Sequence, residues 1–159
     1  MAPYSANIYK ESEIVPHLSK LILANIHIDR WVFKMEGEGG GRGIAYFDIT
    51  SIKPLNKIRK KANQLESEVL FVMVQRLLIQ MLPKKLKIVK SSLYRDFSEF
   101  INTFIKRGGV IEASPSILQK NMGFPGFSFI LEPDGTLEFV SSFEKLNASL
   151  MNPCGYQIP

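Results

Sequence analysis

The chain has 159 residues, 45% of them hydrophobic, with a net charge of +5 and a pI near 9.3. That suffices for one core-forming domain and hardly for two, and the moderate charge and plentiful aromatics exclude wholesale disorder. A basic excess of this size suits nucleotide, RNA or an acidic surface, and it also fits a merely solvated face.

A single cysteine, Cys154, excludes an internal disulfide and points to a reducing compartment, so an intracellular, cytoplasmic setting is expected. No histidine neighbours it in sequence, so it reads as an ordinary thiol. His17 and His27 are spaced for neither a zinc site nor a catalytic triad. The first residues lack the layout of a signal peptide. The most apolar run, Val69 to Leu82, contains Gln75, Arg76 and Gln80. It is shorter than the roughly 20 residues a spanning helix needs, so a buried helix is expected there and no membrane contact.

In chain order, Ile14, Leu18, Leu21 and Ile22 recur at helical spacing over 12–27, with Ser12 as cap and Pro16 near the first turn. "DRWVFKME" reads as a strand and "GIAYFDI" as its returning partner. Between them lie four glycines and Arg42, with Gly43 opening the second strand, so the three segments read as a hairpin with a glycine-rich link. "SIKPLNKIRKKANQ" reads as a basic connector, irregular around Pro54 and Asn56. A helix follows over 66–82, stopped by Pro83. "KLKIVK" alternates like a short strand. The clearest helix is "LYRDFSEFINTFIKR", with Phe97, Phe100, Ile101, Phe104 and Ile105 on one face and Gly108 closing it. "GVIEAS" is a strand, "GFSFILEPDGTLEFVSS" a second hairpin turning at Pro133-Asp134-Gly135, and "SFEKLNASL" a short helix.

The glycine link carries the candidate chemistry. Backbone amides of glycines can approach a phosphate closely, a lysine adds a point charge and an arginine a fork of donors. Lys34, the segment 38–43 and Arg42 therefore form a candidate polyphosphate site; a hairpin tip with no ligand is the alternative, and glycine count alone leaves both open. A P-loop places its lysine after the glycines, whereas Lys34 precedes them. The dinucleotide motif runs from strand to helix, whereas here a strand follows.

A lysine-bearing strand, a glycine flap, a returning strand, helices, then "GGVIEASP" and the hairpin with "ILEPDG" resemble the ATP-grasp superfamily in order over about residues 31–146. The resemblance implies an α+β fold: one partial ATP-grasp-like domain over 1–159, with a small lobe over about 10–110 and, from 111, a hinge strand and the start of a large lobe. It further implies that Lys34 touches ATP phosphates and that Gly39, Gly40, Gly41 and Gly43 form the flap, with Arg42 a phosphate partner. Glu112 would meet the adenosine, and Ala113 would offer backbone groups to the adenine edge. For Glu112 a surface carboxylate at a strand end competes with that role.

Members of that superfamily hold magnesium with carboxylates late in the large lobe, and no such pattern follows "FEKL". The resemblance therefore implies weak ATP binding, magnesium only with residues beyond these 159, no catalytic residue, and a short isoform or fragment acting mainly through a protein partner. The alternatives are part of an ATP-dependent carboxylate–amine or thiol ligase, a basic module touching RNA or an acidic protein through Lys53–Lys61, or a product with no function of its own. The nearest approach to a calmodulin target is "IQMLPK", Ile79 to Lys84. Pro83 is expected to break the helix that calmodulin would grip, so no calmodulin site is expected there.

Overall fold

The computed structural model describes residues 3–5, 7–60, 66–114, 125–149 and 152–158. Among them the fold is α+β, with β1 (Tyr4–Ser5), α1 (Glu11–Ala24), β2 (Arg30–Met35), β3 (Ile44–Asp48), α2 (Lys53–Lys60), α3 (Ser67–Lys85), β4 (Lys87–Ile88), α4 (Phe97–Arg107), β5 (Gly109–Ala113), β6 (Pro125–Leu131), β7 (Leu137–Ser149) and β8 (Asn152–Gln157). The chain divides into two compact units, Met1–Leu118 and Gln119–Pro159.

The first unit is a five-stranded antiparallel sheet in the order β1-β5-β2-β3-β4. Strand alternation gives it two different faces. Trp31, Phe33 and Met35 of β2 point to one side with Ala45 and Phe47 of β3 and Ile111 and Ala113 of β5, and all are buried in the core with the helices. The helices supply one stripe each: Ile14, Leu18 and Ile22 from α1, Leu70, Val74, Leu78 and Leu82 from α3, and Phe100, Ile101 and Phe104 from α4. β5, the strand expected to open a second lobe, lies between β1 and β2 in this sheet.

Several local expectations are corrected. Helix α1 begins at Glu11, and Ser12 does not cap it; the Glu13 carboxylate accepts from the backbone N–H groups of Tyr9 (3.3 Å) and Lys10 (3.2 Å). The basic connector is largely helix α2. Pro54 is its second residue, where the lost N–H is an orphan in any case, and Asn56 N–H donates to Ile52. Pro83 does not stop α3 but lies in its last turn, which runs on to Lys85, with the Leu86 N–H donating to the Leu82 carbonyl at 3.0 Å. The run Val69–Leu82 is buried along one stripe only: Val69, Val72, Met73 and Ile79 are exposed. Helix α4 ends at Arg107 as expected but begins at Phe97, four residues later than Leu93, because Asp96 caps it by accepting from Glu99 N–H at 2.9 Å; Gly108 leaves the helix at φ 80.

The second unit is the three-stranded antiparallel sheet β6-β7-β8. Its turn is the expected one: Gly135 takes φ 87, and Asp134 accepts from Thr136 N–H at 2.8 Å, a bond that holds its carboxyl below the usual range. The segment 142–150, expected to be helical, continues β7 as far as Ser149 and pairs with β8 from Glu144 onward, residue 150 lying outside the described residues. Phe127, Phe129, Leu131, Leu137 and Phe139 are exposed, with Phe129 edge-on to Phe139 at 5.6 Å.

Candidate functional site

The face of the first sheet opposite the helix core is polar. Cross-strand pairing places Arg30, Val32 and Lys34 of β2 on it with Tyr46 and Asp48 of β3, Lys87 of β4 and Val110 and Glu112 of β5. Lys34 is exposed on this face and forms an ion pair with Glu112, which stands diagonally across on β5. At the other end Asp48 binds the Arg30 guanidinium and lies 3.5 Å from the Lys87 ammonium. The Tyr46 ring packs against both cations, with Arg30 at 4.6 Å and Lys87 at 5.6 Å from its centroid. One surface therefore holds three cations, two carboxylates and an aromatic ring.

Sequence reasoning found Lys34 and Glu112 and missed Arg30, Tyr46, Asp48 and Lys87. The signal was present in the period of two: Arg30 and Lys34 share parity on one strand, Tyr46 and Asp48 on its partner. Ala113, the neighbour of Glu112, points the other way into the core. Its N–H donates to the Pro3 carbonyl at 2.9 Å, so the donor meant for an adenine edge is engaged by β1's own segment.

The glycine segment joins β2 to β3. Gly37, Gly40 and Gly41 take positive φ of 71, 62 and 79, conformations that a side chain would strain. Gly39, Gly40 and Arg42 are exposed, while Gly41 and Gly43 are buried. A Cβ on Gly43 would lie 2.7 Å from Cβ of both Glu38 and Met35, so the loop packs where only glycine fits. Its fastenings come from the helix layer: Tyr94 Oη donates to the Arg42 carbonyl at 2.9 Å, and Arg107 at the end of α4 pairs with Glu38 at 2.9 Å. Lys34 and Glu112 are thus brought together on the open face, while the loop is tied down by residues packed with the helices.

Burial, and then the Glu38 charge, raises the Tyr94 phenol above its ordinary value of 10.0 and keeps it a donor. Tyr94→Phe is expected to cost about 0.5–1 kcal/mol of unfolding free energy, and the Arg42 amide to exchange about two- to fivefold faster. A phenol raised in the folded state contributes below pH 10.0 and loses that contribution as pH rises through its folded value. Urea midpoints of wild type and variant are therefore expected to converge in alkali.

Helices on one face of an antiparallel sheet, a glycine link after a lysine-bearing strand and an acidic partner for that lysine define an ATP-grasp-like arrangement. The family model described as "IQCH-like, ATP-grasp" matches residues 1–159, and the chain belongs to that family. IQ motif-containing protein H of Danio rerio is 25% identical over 168 aligned residues, covering 99% of this chain and 15% of the relative. No solved structure matches. No described helix is long and apolar enough to cross a membrane.

Proposed function

We propose that this chain is a nucleotide-binding module of the ATP-grasp kind that works mainly through protein interaction rather than turnover. The observation that carries the reading is the polar sheet face, where the exposed Lys34 and Lys87 stand on either side of the nearly buried Arg30–Asp48 pair, with Tyr46 against Arg30 and Lys87. Two exposed lysines suit a polyphosphate, and the Tyr46 ring beside Lys87 suits a base or ribose, while Arg30 is engaged by Asp48. The fit is partial. Glu112 already neutralises Lys34, so phosphate must displace that carboxylate, and Ala113 N–H is bonded to Pro3. Both features favour weak binding. The carboxylates of this face, Glu112 and Asp48, are each tied to cations, which disfavours their use in holding a metal for phosphoryl transfer.

Calorimetric titration with Mg-ATP tests the reading. Lys34→Ala is expected to weaken binding by about tenfold or more, the range of a charge-assisted phosphate contact. Equal heats for the two proteins would remove Lys34 from the site. Glu112→Gln separates two roles for the carboxylate. Tighter binding marks Glu112 as a competitor for Lys34, and weaker binding marks it as a contact to the nucleoside.

A further inference from the structure

We propose that the groove between α2 and α3 receives an acidic, amphipathic helical segment of a partner protein. The groove has a volume of about 550 Å³ and is lined by Pro54, Lys57, Ile58 and Lys60 from α2 and by Met73, Arg76 and Leu77 from α3. Its floor is apolar, and all three of its ionisable lining residues are cations.

Both helices are built to leave this surface open. On α2, Leu55 and Ile58 are buried, and Lys53, Lys57 and Lys60 recur along the exposed side, while Arg59 turns away to pair with Asp29 at 3.1 Å. On α3 the buried stripe Leu70-Val74-Leu78-Leu82 satisfies the core. The adjacent positions of a surface helix are ordinarily polar, yet Met73 on the groove floor stands 41% exposed, and Val69, one turn before it, 46%. A flexible thioether on an exposed floor adapts to a variable apolar partner.

Charge decides the occupant. A larger cavity of about 790 Å³ is lined by both Lys10 and Glu11, so its rim names no partner charge. Among the described residues the α2–α3 groove carries Lys57, Lys60 and Arg76 and no acidic residue in its lining, so a segment flanked by Asp and Glu is complementary. A second copy of this chain is disfavoured by its net charge of +5. Single-stranded RNA is disfavoured because, among the described residues, no aromatic ring lies on the floor for a base to stack upon. A helix laid between two helices, with apolar anchors at i, i+3, i+4 and i+7, matches an open apolar trough edged by cations. The inference extends the interaction half of the proposed function and does not depend on nucleotide binding.

The test is selection of helical peptides of about 16 residues, roughly four turns, from a random display library on the wild-type chain, after depletion on a Lys57→Glu/Met73→Glu double variant. Both positions are exposed, and thermal unfolding of the variants checks that they fold. Recovered peptides are expected to carry Asp or Glu beside apolar pairs at helical spacing. Synthesised singly, they are expected to bind at least about tenfold more weakly to Lys57→Glu and to Met73→Glu, and to weaken as salt is raised. Lys34→Ala is expected to bind them unchanged, which separates this proposal from the ATP reading. Four results would overturn it. They are peptides that do not distinguish wild type from the variants, peptides that lack acidic residues, self-association of wild type in sedimentation that is lost in Met73→Glu, and binding of an oligouridylate that depends on Lys57 but not on Met73.

Discussion

Replacing Phe33 by alanine is expected to lower the unfolding free energy by about 3–5 kcal/mol, the range for emptying an aromatic site in a packed core. Phe33 is fully buried in the middle of β2 and meets Phe104 of α4 edge-on at 5.8 Å, and Phe104 in turn stacks on Phe100 at 6.4 Å. The cavity cannot close by a shift of Phe104. A Cβ on Gly109 would lie 2.5 Å from the Phe104 ring, so that ring is held by the backbone of β5 itself. The cross-strand neighbours Ala45 and Ile111 are fixed by strand register and cannot swing in. Against a total of about 5–15 kcal/mol for a domain, urea unfolding should show about a fifth or more of the stability gone. Phe33→Leu, which retains most of the volume, is expected to lose about 1–1.5 kcal/mol. Similar losses for both variants would mean that the site relaxes and that the ring chain is not rigid.

The second large effect is expected at Asp48. This carboxylate is nearly buried and holds the Arg30 guanidinium, whose side chain is 11% exposed, with Lys87 on its other oxygen. Asp48→Ala leaves a cation with little water and no counter-charge. The cost is expected to be about 2–3 kcal/mol, somewhat below that of breaking a fully buried pair. Removing the stranded cation as well, in Asp48→Ala/Arg30→Leu, is expected to recover much of the loss, because leucine packs on Tyr46 without a charge to solvate. A double-mutant cycle from urea unfolding reads the coupling directly. Strictly additive losses would mean that Arg30 and Asp48 do not depend on one another.

The apolar face of helix α4 and its stop at Gly108 were legible, because both are local, whereas its start was placed at Leu93 and the cap at Asp96 was missed. The glycine hairpin was legible for the same reason. Its fastening was not, since Tyr94 and Arg107 reach it from far along the chain and no periodicity announces them. Pro54 and Pro83 misled in one direction. Each sits close to a helix end, where a missing N–H costs little, but a proline in sequence reads as a break wherever it falls. Residues 143–149 misled in the other: pairing with β8 makes them strand whatever their local spacing. At the candidate site, Lys34 and Glu112 were readable as residues of opposite charge on two strands. That β5 lies beside β2, so that they meet, is a fact of topology.

β5 is the strand made last in its sheet, yet it takes the place between β1 and β2. During synthesis, residues 3–5 therefore wait without a neighbour until 109–113 leave the ribosome. Through that interval the β2–β3 hairpin presents one unpaired edge and a side bearing Trp31, Phe33 and Phe47, a combination that invites clumping between nascent chains. Slow codons or a cold shift between Met35 and Gly109 would lengthen that exposure. Recovery of folded protein from cells is thus expected to follow the pace of translation across that stretch, and to improve when holdase chaperones are abundant.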